Sequence, residues 1–266
     1  MLQFQIFPGG KRRIVTFSYD DGGKNDPRLI ALFNKYGVRG TFHVNTRRFQ
    51  EMNEEERREY VARYEGHEIS CHTVNHGRLN RMPPSSVINE VMDDRRNLER
   101  YAGYPVVGMS YPSGDYDDRV IAALSACGIV YSRTTRATFG FGFPDDWLAW
   151  HPTCHHRDAE QPVAEFLSKL DTEWCRPLLY IWGHSHEFKT EEDWEKQEKL
   201  VASLSGLEQV WYATNIEIYN YIEATRRVFV SADEKTLFNP SALDVWVERD
   251  KKEIFVIPAG KPVTRP

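Results

Sequence analysis

The stretch VTFSYDDGGKND, residues 15–26, carries an apolar strand pattern straight into two adjacent aspartates and two glycines. Asp and Gly are common turn residues, because Asp bonds its own backbone and Gly accepts a positive φ. A turn has no need of two carboxylates. The second one asks for partners elsewhere in the chain.

The same rhythm, a short apolar run closing on polar residues, recurs along the chain. The runs are RIVTFSY (13–19), GTFHVN (40–45), HEISCH (67–72), PVVGMSY (105–111), GIVYSR (128–133), WLAWH (147–151), LLYIWGH (178–184) and QVWYAT (209–214). Amphipathic helical stretches lie between them. NEEERREYVARYEG (53–66) opens on Asn53 with Glu56 at the capping-box position and stops at Gly66. SSVINEVMDDRRNLERYAG (85–103) places Val87, Ile88, Val91, Met92, Leu98 and Tyr101 on one helical face. TEEDWEKQEKLVASLSG (190–206) opens on Thr190 with acids in its first turn, where the helix dipole favours them.

Strands alternating with helices imply parallel pairing, since parallel strands need crossover connections. Seven or eight such units predict an α/β fold, an irregular (β/α) barrel over residues 1–224. Residues 225–266 break the pattern. RRVFVSADEKTLF and ALDVWVERDKKEIFVIPAG alternate with period two, which predicts a short antiparallel β appendage packed on the barrel.

Composition narrows the partners. The chain has 266 residues, 41% of them hydrophobic and 27% charged, with a net charge of −5. That balance argues against nucleic acid or an anionic membrane as a partner. No apolar stretch approaches the ~20 residues of a membrane span. The N-terminus lacks a secretory pattern, and the four cysteines, Cys71, Cys127, Cys154 and Cys175, are scattered without a CxxC. Both features favour a reducing, cytoplasmic setting.

Active sites of α/β barrels lie at the C-terminal ends of the strands. Four such places stand out: Asp20-Asp21, CHTVNH (71–76), SYPSG (110–114) and WGHSH (182–186). His72 and His76 form an HxxxH pair that would share a face on a helical turn. A catalytic zinc takes three protein ligands and keeps one position open. An aspartate from another strand end completes the set. Two adjacent carboxylates then divide the labour, one coordinating a cation and the other taking a proton from water. An acid for the leaving group is still needed; His184 follows its strand directly, and His186 is expected to face the other way.

In this order, the strand-DDG, the HTxxH, the aromatic-Pro-x-Gly and the strand-GHS resemble the polysaccharide deacetylases, the NodB-homology proteins of carbohydrate esterase family 4. The resemblance covers roughly residues 12–224. It implies Asp20 as general base, and Asp21, His72 and His76 as ligands of one divalent metal. Zinc is the expected ion, with Co²⁺, Ni²⁺, Mn²⁺ or Fe²⁺ as alternatives. It further implies Thr73 between the ligands and His184 as the acid. The implied reaction removes an acetyl group from a carbohydrate, commonly an N-acetyl from an amino sugar.

The third motif departs from the family. An arginine that pairs with the catalytic aspartate is usual there, and this chain has Ser110-Tyr111-Pro112-Ser113-Gly114. The Ser113 backbone N–H remains available as an oxyanion donor. Arg133, closing the fifth apolar run, is the expected replacement, with Arg136 as the alternative; Arg holds a carboxylate in a fork that Lys cannot reproduce. Tyr111 and Trp182 are expected to line the substrate pocket. Trp147 and Trp211 are further candidates for stacking on sugar rings, with core packing the competing role. His151, His155 and His156 fit no common zinc spacing and read as surface or pocket-lining residues, while His43 and His67 read as packed or capping. A small-molecule amidohydrolase and a non-catalytic sugar-binding barrel are the competing functions. A non-haem iron oxygenase shares the ligand types but neither the order nor the fold.

Overall fold

The computed structural model describes residues 1–173 and 176–265. Cys175 lies outside them; Cys71, Cys127 and Cys154 are buried free thiols. The central strand is β1, Arg13–Asp20, with all eight residues buried. Its odd positions, Val15, Phe17 and Tyr19, join the main apolar cluster with Leu29 and Phe33 of helix α1, Asp26–Tyr36. Its even positions face the opposite way, because strand side chains alternate. There Thr16 donates to Asn215 at 3.0 Å and Asp20 accepts from Ser110 at 3.1 Å.

Parallel pairing extends from β1 in both directions. On one side follow β2 (Gly40–Val44), β3 (Glu68–Cys71), β4 (Gly108–Ser110) and β5 (Tyr131–Arg133). On the other lies β7 (Leu178–His184), flanked by β6 (Cys154–His155). The eighth strand, β8 (Val210–Tyr212), pairs only with Arg13–Val15 of β1, whose last four residues pair with β2. The two ends of the sheet meet through one bridge, Arg133 to Trp150, four residues ahead of β6. The curled parallel sheet and its helices are the irregular barrel that the alternation predicts. One element differs. WLAWH is not a strand: Trp147–Ala149 is a 3-10 turn, and the pairing strand begins later, at Cys154.

The helices keep their sequence-coded ends. In α2, Glu54–Ala62, Asn53 and Glu56 exchange the capping-box bonds, and Thr190 and Asp193 do the same for α6, Glu191–Ser203. In α3, Pro84–Ala102, the buried stripe is Val87, Val91, Asp94 and Leu98, whereas Ile88 is 39% exposed. Helices α4, Asp118–Ala126, and α5, Glu160–Ser168, lie between α3 and α6 in the chain, and the last barrel helix is α7, Asn215–Arg226.

The appendage consists of two three-stranded antiparallel sheets. One recruits the chain's beginning, with Leu2–Gln3 paired to Val245–Arg249. The sheets share a small core of Leu237, Val245, Val247, Phe255 and Ile257 with Ala224 of α7. The Tyr221 hydroxyl ties this unit to the barrel by donating to the Ile6 carbonyl at 2.6 Å and accepting from the Trp246 N–H at 3.0 Å.

The barrel interior is polar, unlike the branched apolar layers usual in such cores. Glu68 is fully enclosed there. It accepts from Tyr131 at 2.6 Å, Thr41 at 3.0 Å and the Ile216 N–H, in the first turn of α7, at 2.9 Å. Burial nevertheless dominates and raises its carboxyl from an ordinary 4.5 to about 7. A raised pKa in the folded state contributes stability below the unfolded value that is lost as pH climbs through the folded one. Glu68→Gln should therefore flatten the fall in unfolding midpoint between about pH 4.5 and 7, measured by denaturant titration across that range.

Candidate active site

The ends of β3, β4, β5 and β7 converge on Asp20-Asp21 at the end of β1. Adjacent strand residues normally point to opposite faces. Asp21 escapes that rule with a φ of +75°, and Gly22 follows at +64°. Gly22 is required for a second reason: a Cβ there would lie 2.1 Å from the Tyr60 hydroxyl, which donates to the Gly22 carbonyl. Thr73, His76 and Ser113 also hold left-handed backbones, at +62°, +53° and +58°. Non-glycine residues in that region carry strain and cluster at functional sites.

The HxxxH pair is not on a helical turn. His72 is the first residue past β3, and the bends at Thr73 and His76 bring the two rings to a centroid distance of 4.8 Å. Both Nε2 atoms lie 3.5 Å from the same Asp21 oxygen, Oδ1. Two donors bound 2.0–2.2 Å from one ion at a tetrahedral angle would sit roughly 3.3–3.6 Å apart. The His72 Nδ1 lies 3.0 Å from the Ser110 carbonyl and 2.7 Å from its hydroxyl, which leaves Nε2 free as a ligand. Burial pushes the His72 imidazole below its ordinary value, favouring the neutral, ligating form. The donors present fit a divalent cation.

Asp20 is 3% exposed and lies behind this triad, with Oδ2 3.9 Å from the His72 Nε2. Burial would raise its carboxyl, but the Arg133 guanidinium, with His72, His43 and His184, outweighs burial and holds it well below the usual range. Arg133 is completely buried and donates through Nη2 to Asp20. Its Nη1 donates to the Thr134 carbonyl at 3.1 Å, and its plane lies 4.2 Å from the Trp182 ring centre. Arg136 is exposed. Ser110, in the position where the family carries its arginine, donates to the other Asp20 oxygen.

His184 lies in register with Asp20 across β1 and β7. Burial lowers its imidazole, but Glu187, Asp20 and Asp21 outweigh burial and leave it raised. His186 does not face away: its ring is 4.9 Å from that of His184, and its Nδ1 is 3.6 Å from Asp21 Oδ2. Thr73 is buried with its hydroxyl unpartnered. Ser113 is exposed at the rim. Tyr111 is fully buried, stacked on Tyr116, with its hydroxyl donating to the Leu148 carbonyl at 2.7 Å. Trp182 is 7% exposed beneath the rim.

Trp147 and Trp211 are core residues. Trp147 packs on Trp150 and Tyr219, and Trp211 on Phe7 and Tyr221. β8 pairs with the first residues of β1, so Trp211 sits at the end of the barrel opposite the site. His67 bonds Gly40 N–H and Asn34, while His43 is fully buried in register beside Asp20. His151 meets the Thr134 hydroxyl at 2.6 Å.

Two residues are absent from the sequence reading. Asp94 accepts from Thr46 N–H at 3.0 Å, the Thr46 hydroxyl at 2.7 Å and His72 N–H at 2.9 Å, and so pins two loops. Its signal was present, a carboxylate on the apolar stripe between Val91 and Leu98. Glu187 gathers His155 at 3.0 Å, His156 at 3.2 Å and His184 at 3.5 Å, together with Arg157. His156 packs against Gly183, where a Cβ would meet its Nδ1 at 2.0 Å.

Residues 8–132 match the family model for polysaccharide deacetylase. That segment belongs to the polysaccharide deacetylase family. A peptidoglycan-N-acetylglucosamine deacetylase of Bacillus cereus is 26% identical over 121 residues, 44% of this chain and 54% of that protein. The chain spans about half the length of the curated relatives it matches. The fold recurs in a Mycobacterium smegmatis structure assigned as a polysaccharide deacetylase, at a TM-score of 0.61, 17% identity and coverage of 83% of this chain and 93% of that one. It recurs also in a carbohydrate esterase family 4 pseudoenzyme of Bacillus anthracis, at a TM-score of 0.55, 15% identity and coverage of 78% and 65%.

Arg133→Lys tests the electrostatics. A lysine keeps the charge and loses the fork and the Trp182 stacking. The acid limb of the activity profile should move to higher pH as Asp20 becomes easier to protonate, and most activity should disappear. An unmoved acid limb would show that Arg133 does not set Asp20.

Proposed function

We propose that this protein is a metal-dependent hydrolase that removes acetyl groups, N-linked or O-linked, from a carbohydrate. The observation that carries the reading is the pairing of three ligand-spaced donors, Asp21, His72 and His76, with a buried and separately anchored carboxylate, Asp20. Either half alone has a structural explanation. Together they form an arrangement in which one carboxylate can hold a cation while the other takes a proton from water.

A divalent ion held by Asp21, His72 and His76 would polarise the acetyl carbonyl and make a water acidic near neutral pH. Asp20 takes the water's proton; Arg133 and Ser110 fix the direction its oxygens face and keep it ionised until then. The Ser113 N–H is the donor for the developing oxyanion. His184, kept protonated by the carboxylates around it, returns a proton to the departing amine or alcohol. The family match supports the carbohydrate class, and the retention of Asp20, Asp21, His72, His76 and His184 weighs against a sugar-binding barrel without activity.

Acetate and free amine, measured over acetylated glycans and cyclic amides with and without zinc, test the reading. Acetate from a glycan only when metal is present is the expected result; release from a cyclic amide alone would favour the amidohydrolase. His184→Ala should lower kcat by roughly 10²–10⁴ while the tightly bound ion is retained. Should His186→Ala prove the more damaging, the acid has been assigned to the wrong histidine.

A further inference from the structure

We propose that His184, His186 and Glu187 form a second divalent-cation site adjoining the first, a proposal that rests on reading Asp21, His72 and His76 as a metal site. The three residues each offer a ligand atom, all within 4.8 Å of one another. His184 Nδ1 is buried and lies 3.5 Å from Glu187 Oε1. That is long for a hydrogen bond and matches the spacing of two donors around one ion. The His184 and His186 rings are 4.9 Å apart, close to the 4.8 Å between His72 and His76.

Asp21 joins the two groups. Its Oδ1 serves His72 and His76, and its Oδ2 faces the His186 Nδ1 at 3.6 Å. A carboxylate with one oxygen toward each cluster can bridge two cations, which in two-metal hydrolases lie roughly 3.5–4 Å apart. His186 is 55% exposed, so the second position opens to solvent. Neighbouring cations repel, and the second ion therefore binds more weakly than the first.

His155, His156 and Glu187 are equally close together but make a poorer site. His155 Nδ1 accepts the Arg157 backbone N–H at 3.3 Å, which leaves the ring proton on Nε2, facing Glu187. That nitrogen is a donor, not a ligand. Arg157, which also meets Glu187 Oε1, is 63% exposed and can turn to solvent when an ion arrives.

The test is equilibrium dialysis of the whole chain against Zn²⁺ followed by elemental analysis. The wild-type protein should hold two ions, one tight and one weak, and His186→Gln or Glu187→Gln should hold only the tight one. Excess zinc should also slow turnover in the wild type, because an ion on Nδ1 takes His184 out of proton transfer, and His186→Gln should relieve that inhibition. A single ion in the wild type, or two in His186→Gln, would overturn the second site. His76→Ala should lose the tight ion alone; retention of both there would overturn the first-site reading and leave the second standing.

Discussion

The buried ion pair between Arg133 and Asp20 is the constraint around which the barrel is arranged. Taking two charges out of water costs several kcal/mol per ion unless geometry and further hydrogen bonds compensate. Here they do: Asp20 also accepts from Ser110, and Arg133 also donates to the Thr134 carbonyl and lies over Trp182. Loss of either partner alone would strand a buried charge, at a cost on the order of 3–5 kcal/mol. The pair spans β1 and β5, while Ser110 sits opposite Arg133 in the β4–β5 register. A slip of one residue in either strand would turn the guanidinium out of the barrel. The pair thus makes the register of the far edge a condition of forming the site.

A polar barrel interior follows from the same constraint. Glu68, Tyr131, Thr41 and Asn215 bond one another beneath the ion pair, and Glu68 and Thr41 each hold a backbone N–H at the start of α7. Such a network is favourable only when fully satisfied. Its members are, whereas the Thr73 hydroxyl nearer the site is left without a partner. That hydroxyl and the left-handed backbones of Asp21, Thr73, His76 and Ser113 lie at the same end of the barrel. Asp94 braces that end from outside by holding Thr46 and the His72 N–H together.

The strands and helices were legible because burial here follows period: apolar runs end in polar residues, and caps such as Asn53 and Thr190 are local signals. WLAWH misled because its aromatics pack as a 3-10 turn against Tyr219 and Phe143, which no local pattern encodes. Of the site, the two aspartates, the histidine pair and Arg133 could be placed from strand ends alone. Glu187 could not, since nothing in GHSHEF says that the loop folds back onto His155, which lies 32 positions earlier. Asp94 could have been found, because a carboxylate on an apolar helical stripe needs buried donors. Trp211 stayed open between stacking and core packing for want of register: an aromatic on a short strand looks the same at either end of a barrel.

The order Asp20-Asp21-Gly22 now has a physical reading. In a regular strand the second carboxylate would point outward into the helices, among Phe33 and its neighbours. The left-handed turn at Asp21 brings it back to the side of Asp20 without lengthening the strand. Asp20, still within the strand, is held rigidly by its register with His43 and His184 and by Arg133. Asp21, one residue past it, is 27% exposed and anchored through its backbone carbonyl, which accepts from Arg48 at 2.6 Å. Its carboxylate is left free to face His72, His76 and His186. A base needs a fixed direction and shielding from bulk solvent; a ligand needs an oxygen free to face the cation. Under the proposed roles, the strand supplies the first condition and the turn supplies the second, so the two aspartates would not be interchangeable.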